Sequence, residues 1–282
     1  MWAEYFVCSN EIFIWGKGDF GVILRVDLVI VSRMKFIGII PSRYGSSRLP
    51  GKPLARIGDM TMVERVWRKA SEAIDRVVVA TDSELIAREV ERFGGEAVMT
   101  DAALPNGTLR CLAAIDLLGA EADAIINIQG DEPFIDPADI CSVARCFADP
   151  AVEIATLVAR FDPALGYDAL SSPAKVKVTL DCEDNALMFS RAVIPFVRDC
   201  PRELWPQRTP YYIHTGLYGY RLDTLRRIAA LPPSPLEAAE NLEQLRWLQA
   251  GLKIKCAVTS NHPFGIDTPA DLLLANNMIS KC

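Results

Sequence analysis

Short apolar runs alternate with amphipathic segments along the first half of this 282-residue chain, and no other feature restricts the fold as much. Buried strands are predicted at residues 36–40, 76–80, 96–99 and 123–129. Helices are predicted at residues 61–73, 83–93 and 106–118, with a further one after the cap at Asp136. Such a β/α order predicts an α/β fold with a doubly wound, mostly parallel sheet.

The second half of the chain has a different pattern. Strands are predicted at residues 153–160, 175–181, 186–190 and 211–220, and the middle two form a hairpin. They indicate an antiparallel subdomain at about residues 160–220, inserted into a single domain of residues 34–282. A capping box at Ser234 predicts one helix that continues to about Gln249. A strand at 253–258 and a last helix capped by Thr268 follow.

The first predicted strand ends in a basic loop, within the stretch FIGIIPSRYGSSRLPGKP. Small residues let backbone N–H groups face a ligand, and cations such as Arg43, Arg48 and Lys52 suit phosphate. The loop is not a P-loop, because five residues separate Gly45 from Gly51 and a proline follows Lys52. It predicts a triphosphate site of another geometry; a solvated basic turn is the alternative.

Acidic residues follow two other predicted strands. Asp82 comes just after the strand at 76–80, and Asp131 follows the strand at 123–129 in NIQGDEP. In a parallel sheet the carboxyl ends of the strands border the ligand crevice. Asp267 precedes the last helix and reaches the same edge if the strand at 253–258 joins the sheet. Two aspartates opposite a basic loop indicate a magnesium–triphosphate site, with Asp131 and Asp267 as the metal ligands. The alternative is that both are ordinary turn or capping acids.

Composition excludes several classes of protein. The net charge of −6 argues against a general nucleic-acid binder. The eight cysteines include no C-x-x-C pair and only two histidines accompany them, so neither a zinc finger nor a disulfide framework is expected. Buried thiols in a reducing cytoplasm are predicted instead.

Residues 1–33 form a separate segment. Arg25 and Asp27 interrupt its apolar run, which argues against a membrane span and a signal peptide. It includes a G-x-G-x-x-G match from Gly16 to Gly21, but no helix pattern and no ribose-binding acid follow it. We expect an extension that is not part of the working protein, with Met34 as the start.

Several motifs occur together in one order. They are IIPSRYGSSRLPGKPL, ATDSELIA, NGTLR, NIQGDEP, ALMFSRAVIP, HTGLYGY, PSPLEAAENLEQLRWL and GIDTPADL. In this order the chain resembles the 3-deoxy-manno-octulosonate (Kdo) cytidylyltransferases from about Lys35 to its C-terminus. Cytidylyltransferases for sialic acids share the R-x₄-LPGK type of loop, whereas HTGLYGY and LEQLRW point to Kdo.

The resemblance implies a cytoplasmic, homodimeric, magnesium-dependent nucleotidyltransferase with a dimerisation subdomain and no membrane span. It implies that CTP and Kdo, an acidic eight-carbon sugar, give CMP-Kdo and pyrophosphate for lipopolysaccharide biosynthesis. By position, the implied catalytic residues are Arg43, Lys52, Asp131 and Asp267. The implied nucleotide-binding residues are Pro41, Ser42, Arg43, Arg48, Lys52, Asp82, Gly107, Thr108, Arg110, Gln129 and Asp131. The implied sugar-binding residues are Gln129, Arg191, His214, Tyr218, Glu243 and Gln244.

Two positions depart from the family pattern. Leu109 stands where the family usually has an acid between Thr108 and Arg110, and this puts nucleotide affinity in question. Ala270 replaces another usual acid, although Asp271 keeps the next one.

Three other functions remain open at this stage. The first is a cytidylyltransferase for another acidic sugar, of the sialic acid or 8-amino-Kdo type. The second is a non-catalytic nucleotide-binding relative, with Leu109 as an early sign of decay. The third is a Rossmann dehydrogenase, for which the match at Gly16–Gly21 is the sole argument.

Overall fold

A computed structural model of the chain describes residues 34–45, 48–261 and 264–280. The extension predicted at residues 1–33, with its Gly16–Gly21 match, lies outside the described residues. Within the described ranges, no helix is long and apolar enough to cross a bilayer.

The described strands and helices follow the predicted order along the chain. The strands are β1 (Phe36–Ser42), β2 (Arg56–Ile57), β3 (Met60–Thr61), β4 (Val77–Thr81), β5 (Glu96–Met99), β6 (Ala124–Asn127), β7 (Ile154–Arg160), β8 (Lys177–Leu180), β9 (Ala186–Ser190), β10 (Tyr212–Arg221) and β11 (Lys255–Thr259). The α-helices are α1 (Met62–Ser71), α2 (Glu84–Arg92), α3 (Gly107–Leu118), α4 (Pro137–Arg145), α5 (Gly166–Ser171), α6 (Trp205–Arg208), α7 (Leu222–Ala229), α8 (Pro235–Glu240), α9 (Gln244–Gln249) and α10 (Pro269–Ile279).

The long helices begin at the capping residues that the sequence offers. Thr61, Asn106 and Asp136 each accept a hydrogen bond from a backbone N–H in the first turn of α1, α3 and α4. Full capping boxes at Ser234 and Thr268 start α8 and α10. These caps satisfy N–H groups that have no partner inside the helix, so the local sequence fixes where these five helices start.

The main sheet is mostly parallel, as predicted. Its strand order is β11-β7-β10-β6-β1-β4-β5, and β1 pairs in parallel with both β4 and β6. The chain moves outward from β1 to β5 and then returns to the other side of β1 at β6. This reversal of strand order places a crevice at the carboxyl ends of β1 and β6, the usual ligand position in an open α/β sheet.

Strand β10 runs antiparallel inside this sheet, between β6 and β7. The β8–β9 hairpin is attached through β8, which pairs with the start of β10. The run predicted at 211–220 as part of the inserted subdomain is therefore shared between the hairpin and the main sheet. Local alternation predicted the strand but carried no information about which strands it would pair with.

Apolar side chains cover both faces of the sheet. One large cluster, around Ile39, Phe189 and Trp247, links the central strands to the hairpin and to α9. A second cluster, around Ile40 and Ile126, packs the opposite face against α1, α2 and α4. Strands buried on both faces read as continuous apolar runs, which explains why β1, β4 and β6 were predictable from the sequence.

The prediction of a single helix from Ser234 to about Gln249 is wrong. The chain forms two short helices, α8 and α9, because Asn241 between them has φ 51° and ψ 51°. This left-handed conformation ends a helix, and asparagine tolerates it better than most residues do. The turn redirects the chain just before Glu243 and Gln244.

Candidate active site

The backbone is packed very closely where β1 and β6 end. A Cβ atom on Gly130 would lie 2.9 Å from the Pro41 carbonyl oxygen and 3.0 Å from Ser42 Oγ. Gly107, at the start of α3, lies against the Pro41 ring, where a Cβ would sit 3.5 Å from Cγ. Glycine lets the three segments meet here, so the predicted nucleotide residues at 41, 42 and 107 share one corner of the crevice.

Two cations of the basic loop, Arg48 and Lys52, form one charged cluster with the two aspartates. Lys52 Nζ lies 2.6 Å from Asp131 Oδ2 and 3.1 Å from Asp267 Oδ1. The guanidinium of Arg48 lies 3.0 Å from the same Asp267 oxygen. A backbone hydrogen bond from Ile266 N to Asp131 O, 2.9 Å long, holds the two acidic segments together.

Local structure fixes each member of this cluster. Gly51 adopts φ 65° just before the short 3₁₀ turn that carries Lys52. Asp271 accepts hydrogen bonds from the backbone N–H groups of Asp267 and Thr268, at 3.1 and 2.9 Å. The acid that the sequence retains at 271 thus caps α10 and orients the Asp267 segment.

The paired carboxylates suit a hard divalent cation. Asp131 and Asp267 both direct an oxygen at one cationic atom, Lys52 Nζ, so a single cation is within reach of both. Magnesium is commonly held by one or two carboxylates together with substrate phosphates. In the described ranges no cluster of three or more His, Cys, Asp or Glu side chains forms a metal site. The donor set fits magnesium shared with a triphosphate.

Arg110 lies under the loop and is almost fully buried, with 1% of its surface exposed. Its Nη1 donates to Thr100 Oγ1 at 2.6 Å, and its Nη2 lies 3.6 Å from Asp82 Oδ2. Burial lowers the pKa of Arg110 and the charge of Arg43 acts in the same direction, while Asp82 opposes both. Asp82 and Thr100 therefore orient Arg110, although Leu109 replaces the family's usual acid.

The start of α3 is tied to the α8–α9 region. Glu243 accepts hydrogen bonds from Asn106 Nδ2 and Thr108 Oγ1, both at 3.1 Å. Burial is the main cause that raises the pKa of Glu243. This contact joins a predicted nucleotide residue to a predicted sugar residue across 135 positions of sequence.

Gln129 connects the crevice to β10. Its Nε2 donates to the Gly216 carbonyl oxygen at 3.0 Å. The β7–β10 pairing shifts between Thr215 and Tyr218, which is a bulge of the kind that often re-aims side chains beside an active site. A Cβ on Gly216 would lie 3.0 Å from Gln129 Cγ, so glycine lets the Gln129 side chain lie close against the bulge.

An aromatic wall is built around Tyr218, the residue at which the pairing resumes after this bulge. The Tyr218 ring centroid lies 5.2 Å from those of His214 and Trp247 and 5.8 Å from that of Tyr220. Burial lowers the pKa of His214 to about 3, so its imidazole is neutral at physiological pH. Among the described residues, the buried hydroxyls of Tyr218 and Tyr220 and the amide Nε2 of Gln244 have no hydrogen-bond partner. Unpaired polar atoms in an apolar wall are suited to a polyhydroxylated ligand.

Arg191 is placed differently from the other predicted sugar residues. Its guanidinium donates to the main-chain carbonyl oxygens of Pro173, Glu240 and Asn241, at 2.9, 2.7 and 3.3 Å. These bonds hold the side chain against the α8–α9 turn, whereas the resemblance implied only that Arg191 binds the sugar.

Sequence reasoning missed several residues that support the site, among them Trp247 of the aromatic wall. Thr100 orients Arg110, Asn106 holds Glu243, and Tyr220 belongs to the aromatic wall. The first two had a usable signal, since one directly follows β5 and the other caps α3 at the ligand edge of the sheet.

Comparisons with known proteins agree with this geometry. The family model for cytidylyltransferases matches residues 37–254. The chain is 47% identical over 248 residues to the 3-deoxy-manno-octulosonate cytidylyltransferase of Bacteroides thetaiotaomicron, covering 88% of this chain and 99% of the relative. The enzyme of the same name from Myxococcus xanthus is 44% identical, with 84% and 93% covered.

Solved structures give the same result. The CMP:2-keto-3-deoxy-manno-octonic acid synthetase complexed with CTP superposes with a TM-score of 0.80 and 37% identity, over 88% of this chain and 99% of that one. A Leptospira borgpetersenii cytidylyltransferase, at 19% identity and a TM-score of 0.57, shares the fold. On the family model, the close relatives and the CTP-bound structure, the chain belongs to the 3-deoxy-manno-octulosonate cytidylyltransferase family.

Proposed function

We propose that this chain transfers the cytidylyl group of CTP to the anomeric hydroxyl of Kdo, releasing pyrophosphate and giving CMP-Kdo for lipopolysaccharide assembly. The observation that carries the proposal is the charged cluster of Lys52, Asp131 and Asp267, in which Asp131 follows β6, together with the aromatic wall and its unpaired polar atoms on β10, the strand that pairs with β6. One side suits a triphosphate and the other suits a sugar. The names of the close relatives support the choice of CTP and Kdo.

The loop cations act on the triphosphate. Lys52 and Arg43 pair with phosphate oxygens and stabilise the negative charge that develops on the departing pyrophosphate. Arg48 adds charge at the exposed rim, where solvent weakens its effect. Arg110, held by Asp82 and Thr100, keeps a positive charge beneath the nucleotide and fixes the floor of this part of the crevice.

Asp131 and Asp267 are the proposed magnesium ligands. When bound there, magnesium neutralises phosphate charge and lowers the pKa of the attacking hydroxyl. The two acids are pre-positioned by the Ile266–Asp131 backbone bond and by the α10 cap. Because catalysis of phosphoryl transfer is mostly positioning and charge stabilisation, the chain needs no dedicated side-chain base.

The sugar is proposed to lie against the aromatic wall. Tyr218 and Gln244 offer polar atoms that have no partner among the described residues, and Gln129 borders the same space through its bond to Gly216. His214 is neutral and lies 3.2 Å from Thr156 Oγ1, so it is suited to hydrogen bonding and not to carrying charge. A buried site lined in this way binds most tightly a ligand whose hydroxyls form hydrogen bonds with these polar atoms.

The proposal extends to assembly and location. Leu187 and Phe196, in and after the hairpin, expose 61% and 68% of their surfaces, and this supports a dimer interface on the subdomain at about residues 160–220. A homodimer acting in the cytoplasm is what the resemblance implies. Gel filtration with light scattering tests the dimer, and a monomer at assay concentration would contradict it.

A substrate panel tests the activity. The purified chain is assayed for pyrophosphate release with CTP, UTP or ATP and with Kdo, 8-amino-Kdo or sialic acid, with and without magnesium. We expect release only with CTP and magnesium, and fastest with Kdo. Preference for another acidic sugar would reassign the substrate, and CTP binding without turnover would support a non-catalytic relative.

A further inference from the structure

Glu240 connects the end of β9 to the turn between α8 and α9. One carboxylate oxygen accepts a hydrogen bond from Ser190 Oγ at 2.6 Å, and the other accepts one from Arg191 N at 2.9 Å. Both donors lie 50 or 49 positions earlier in the chain. The Ser190 hydroxyl is the main cause that lowers the pKa of Glu240, so the carboxylate is ionised when it makes these bonds.

The contact is reciprocal. The Arg191 side chain donates from Nε to the Glu240 carbonyl oxygen at 2.7 Å and from Nη2 to that of Asn241 at 3.3 Å. The Glu240 side chain thus binds the segment at residues 190–191, and the Arg191 side chain binds the main chain at residues 240–241. Because Asn241 is the left-handed residue that separates the two helices, these bonds act directly on the turn.

A second cation in this region feels the charge of Glu240. Lys177, on the neighbouring strand β8, is fully buried and donates to the carbonyl oxygens of Ser172 and Lys175. Carbonyls bind this ammonium group but do not neutralise it. Burial lowers the pKa of Lys177, and the charge of Glu240 opposes that change. Glu240 therefore balances positive charge inside the hairpin region.

The turn that Glu240 holds leads straight into the sugar side of the pocket. Glu243 follows three positions later and binds Asn106 and Thr108 of the nucleotide region. Gln244 comes next, is buried, and directs an unpaired amide nitrogen into the interior. Their placement depends on where α9 begins, and that point is fixed by the Asn241 turn.

We propose that Glu240 is a positioning residue for the acidic sugar: its bonds to Ser190 and Arg191 fix the α8–α9 turn so that Glu243 and Gln244 face the substrate. Glu240 itself does not touch the sugar. This inference rests on the proposed function, and it assigns the Arg191–Glu240 contact to the sugar half of the reaction. The nucleotide half, built on the loop and on Asp131, lies outside the contact.

The test compares Glu240→Gln with the wild-type chain. Glutamine keeps the size of the side chain but loses the charge, and its amide group can accept at only one of the two positions. We expect KM for Kdo at saturating CTP to rise about tenfold, since two charge-assisted hydrogen bonds are weakened. KM for CTP should rise clearly less than KM for Kdo, because Glu243 also binds Thr108 of the nucleotide region, and kcat at saturating Kdo should change little.

Two further variants keep the result decisive. Glu203→Gln removes an exposed acid from the same region and should leave both KM values unchanged. Ser190→Ala deletes the 2.6 Å bond alone, so KM for Kdo should rise about threefold, and this variant gives the readout if Glu240→Gln does not fold.

The outcomes separate this inference from the proposed function. Wild-type inactivity towards Kdo would contradict the proposed function and, with it, this inference. Normal wild-type turnover with an unchanged Kdo KM in Glu240→Gln and Ser190→Ala would contradict the inference alone. An equal rise of both KM values would also contradict it, because a general loss of structure does not distinguish the two substrates.

Discussion

The two sides of the proposed site are built on different physical principles. We assign Arg43, Arg48, Lys52, Asp131 and Asp267 to the proposed triphosphate side. We assign His214, Tyr218, Tyr220, Glu243, Gln244 and Trp247 to the proposed sugar side. On the first, ion pairs such as Lys52–Asp131 lie near solvent on a loop and at strand ends. On the second, aromatic rings pack in the core and several polar atoms lack a partner among the described residues.

This difference predicts how each side responds to change. Partly exposed ion pairs can exchange partners at low cost, which suits a site that binds a polyanion and releases pyrophosphate. A buried wall is costly to rearrange, which suits selection of one sugar among close analogues. Changes on the triphosphate side should therefore reduce turnover, and changes on the sugar side should reduce stability and sugar binding.

The largest effect is expected for Asp131→Asn. Loss of one of the two proposed metal ligands should lower kcat by roughly a thousandfold or more while the fold persists. Steady-state kinetics with CTP and Kdo, together with circular dichroism, measure both quantities. Asp162→Asn, which changes an acid capping a short 3₁₀ turn, is the control and should keep its activity. Near-normal turnover by Asp131→Asn would refute the metal role.

A smaller effect is expected for Lys52→Met. The variant retains the length of the side chain but loses the charge that we propose meets the triphosphate, so kcat/KM for CTP should fall roughly a hundredfold. KM for Kdo should change little, because Lys52 belongs to the other side of the pocket. Lys69→Met, which changes a partly exposed lysine on α1, serves as the matched control. A larger loss in Kdo binding than in CTP binding would break the division into two sides.

The sugar side offers a test in pH dependence. Burial lowers the pKa of His214 to about 3, below the value of about 6.5 in an unfolded chain. The unfolded state therefore takes up more protons below pH 6.5, and the stabilisation from this group is complete above that pH and is lost as the pH falls towards 3.

Urea unfolding at pH 7 and pH 5 measures this effect. The wild-type chain should lose roughly 1–2 kcal/mol more on acidification than His214→Gln does. Equal losses in the two proteins would show that the histidine is not held neutral in the aromatic wall.

The smallest effect is expected at the α8–α9 turn. Asn241→Ala forces a residue with a Cβ into φ 51° without the local hydrogen bonding that asparagine offers, and should cost about 1 kcal/mol of unfolding free energy. Asn241→Gly should be nearly neutral, because glycine adopts this conformation freely. The urea midpoints of the two variants measure this difference. Equal destabilisation by both would show that the left-handed conformation at residue 241 does not determine stability there.

Local patterns explain which parts of the fold were predictable. The buried runs of β1, β4 and β6, and the caps at Asn106, Asp136 and Thr268, are short-range signals, and the structure confirms the elements that they predicted. The meeting of Lys52 with Asp131 and Asp267 followed from the rule that strand ends share one edge of a parallel sheet.

The parts of the fold and site that the sequence did not predict depend on long-range contacts or on the conformation of a single residue. One left-handed asparagine divides a helix that capping and periodicity predict as continuous. The insertion of β10 between β6 and β7 is set by pairing across distant sequence. The commitment of Arg191 to three carbonyls arises only when the hairpin packs on the α8–α9 turn. None of these leaves a periodic signal in the sequence.

The central claim is that both sides of the pocket act on one reaction, and ³¹P NMR of the purified chain with CTP, Kdo and magnesium tests it most directly. The account predicts pyrophosphate and a single sugar-nucleotide phosphodiester, formed in equal amounts as CTP disappears. Unchanged CTP, or its conversion to CDP and phosphate, would contradict it.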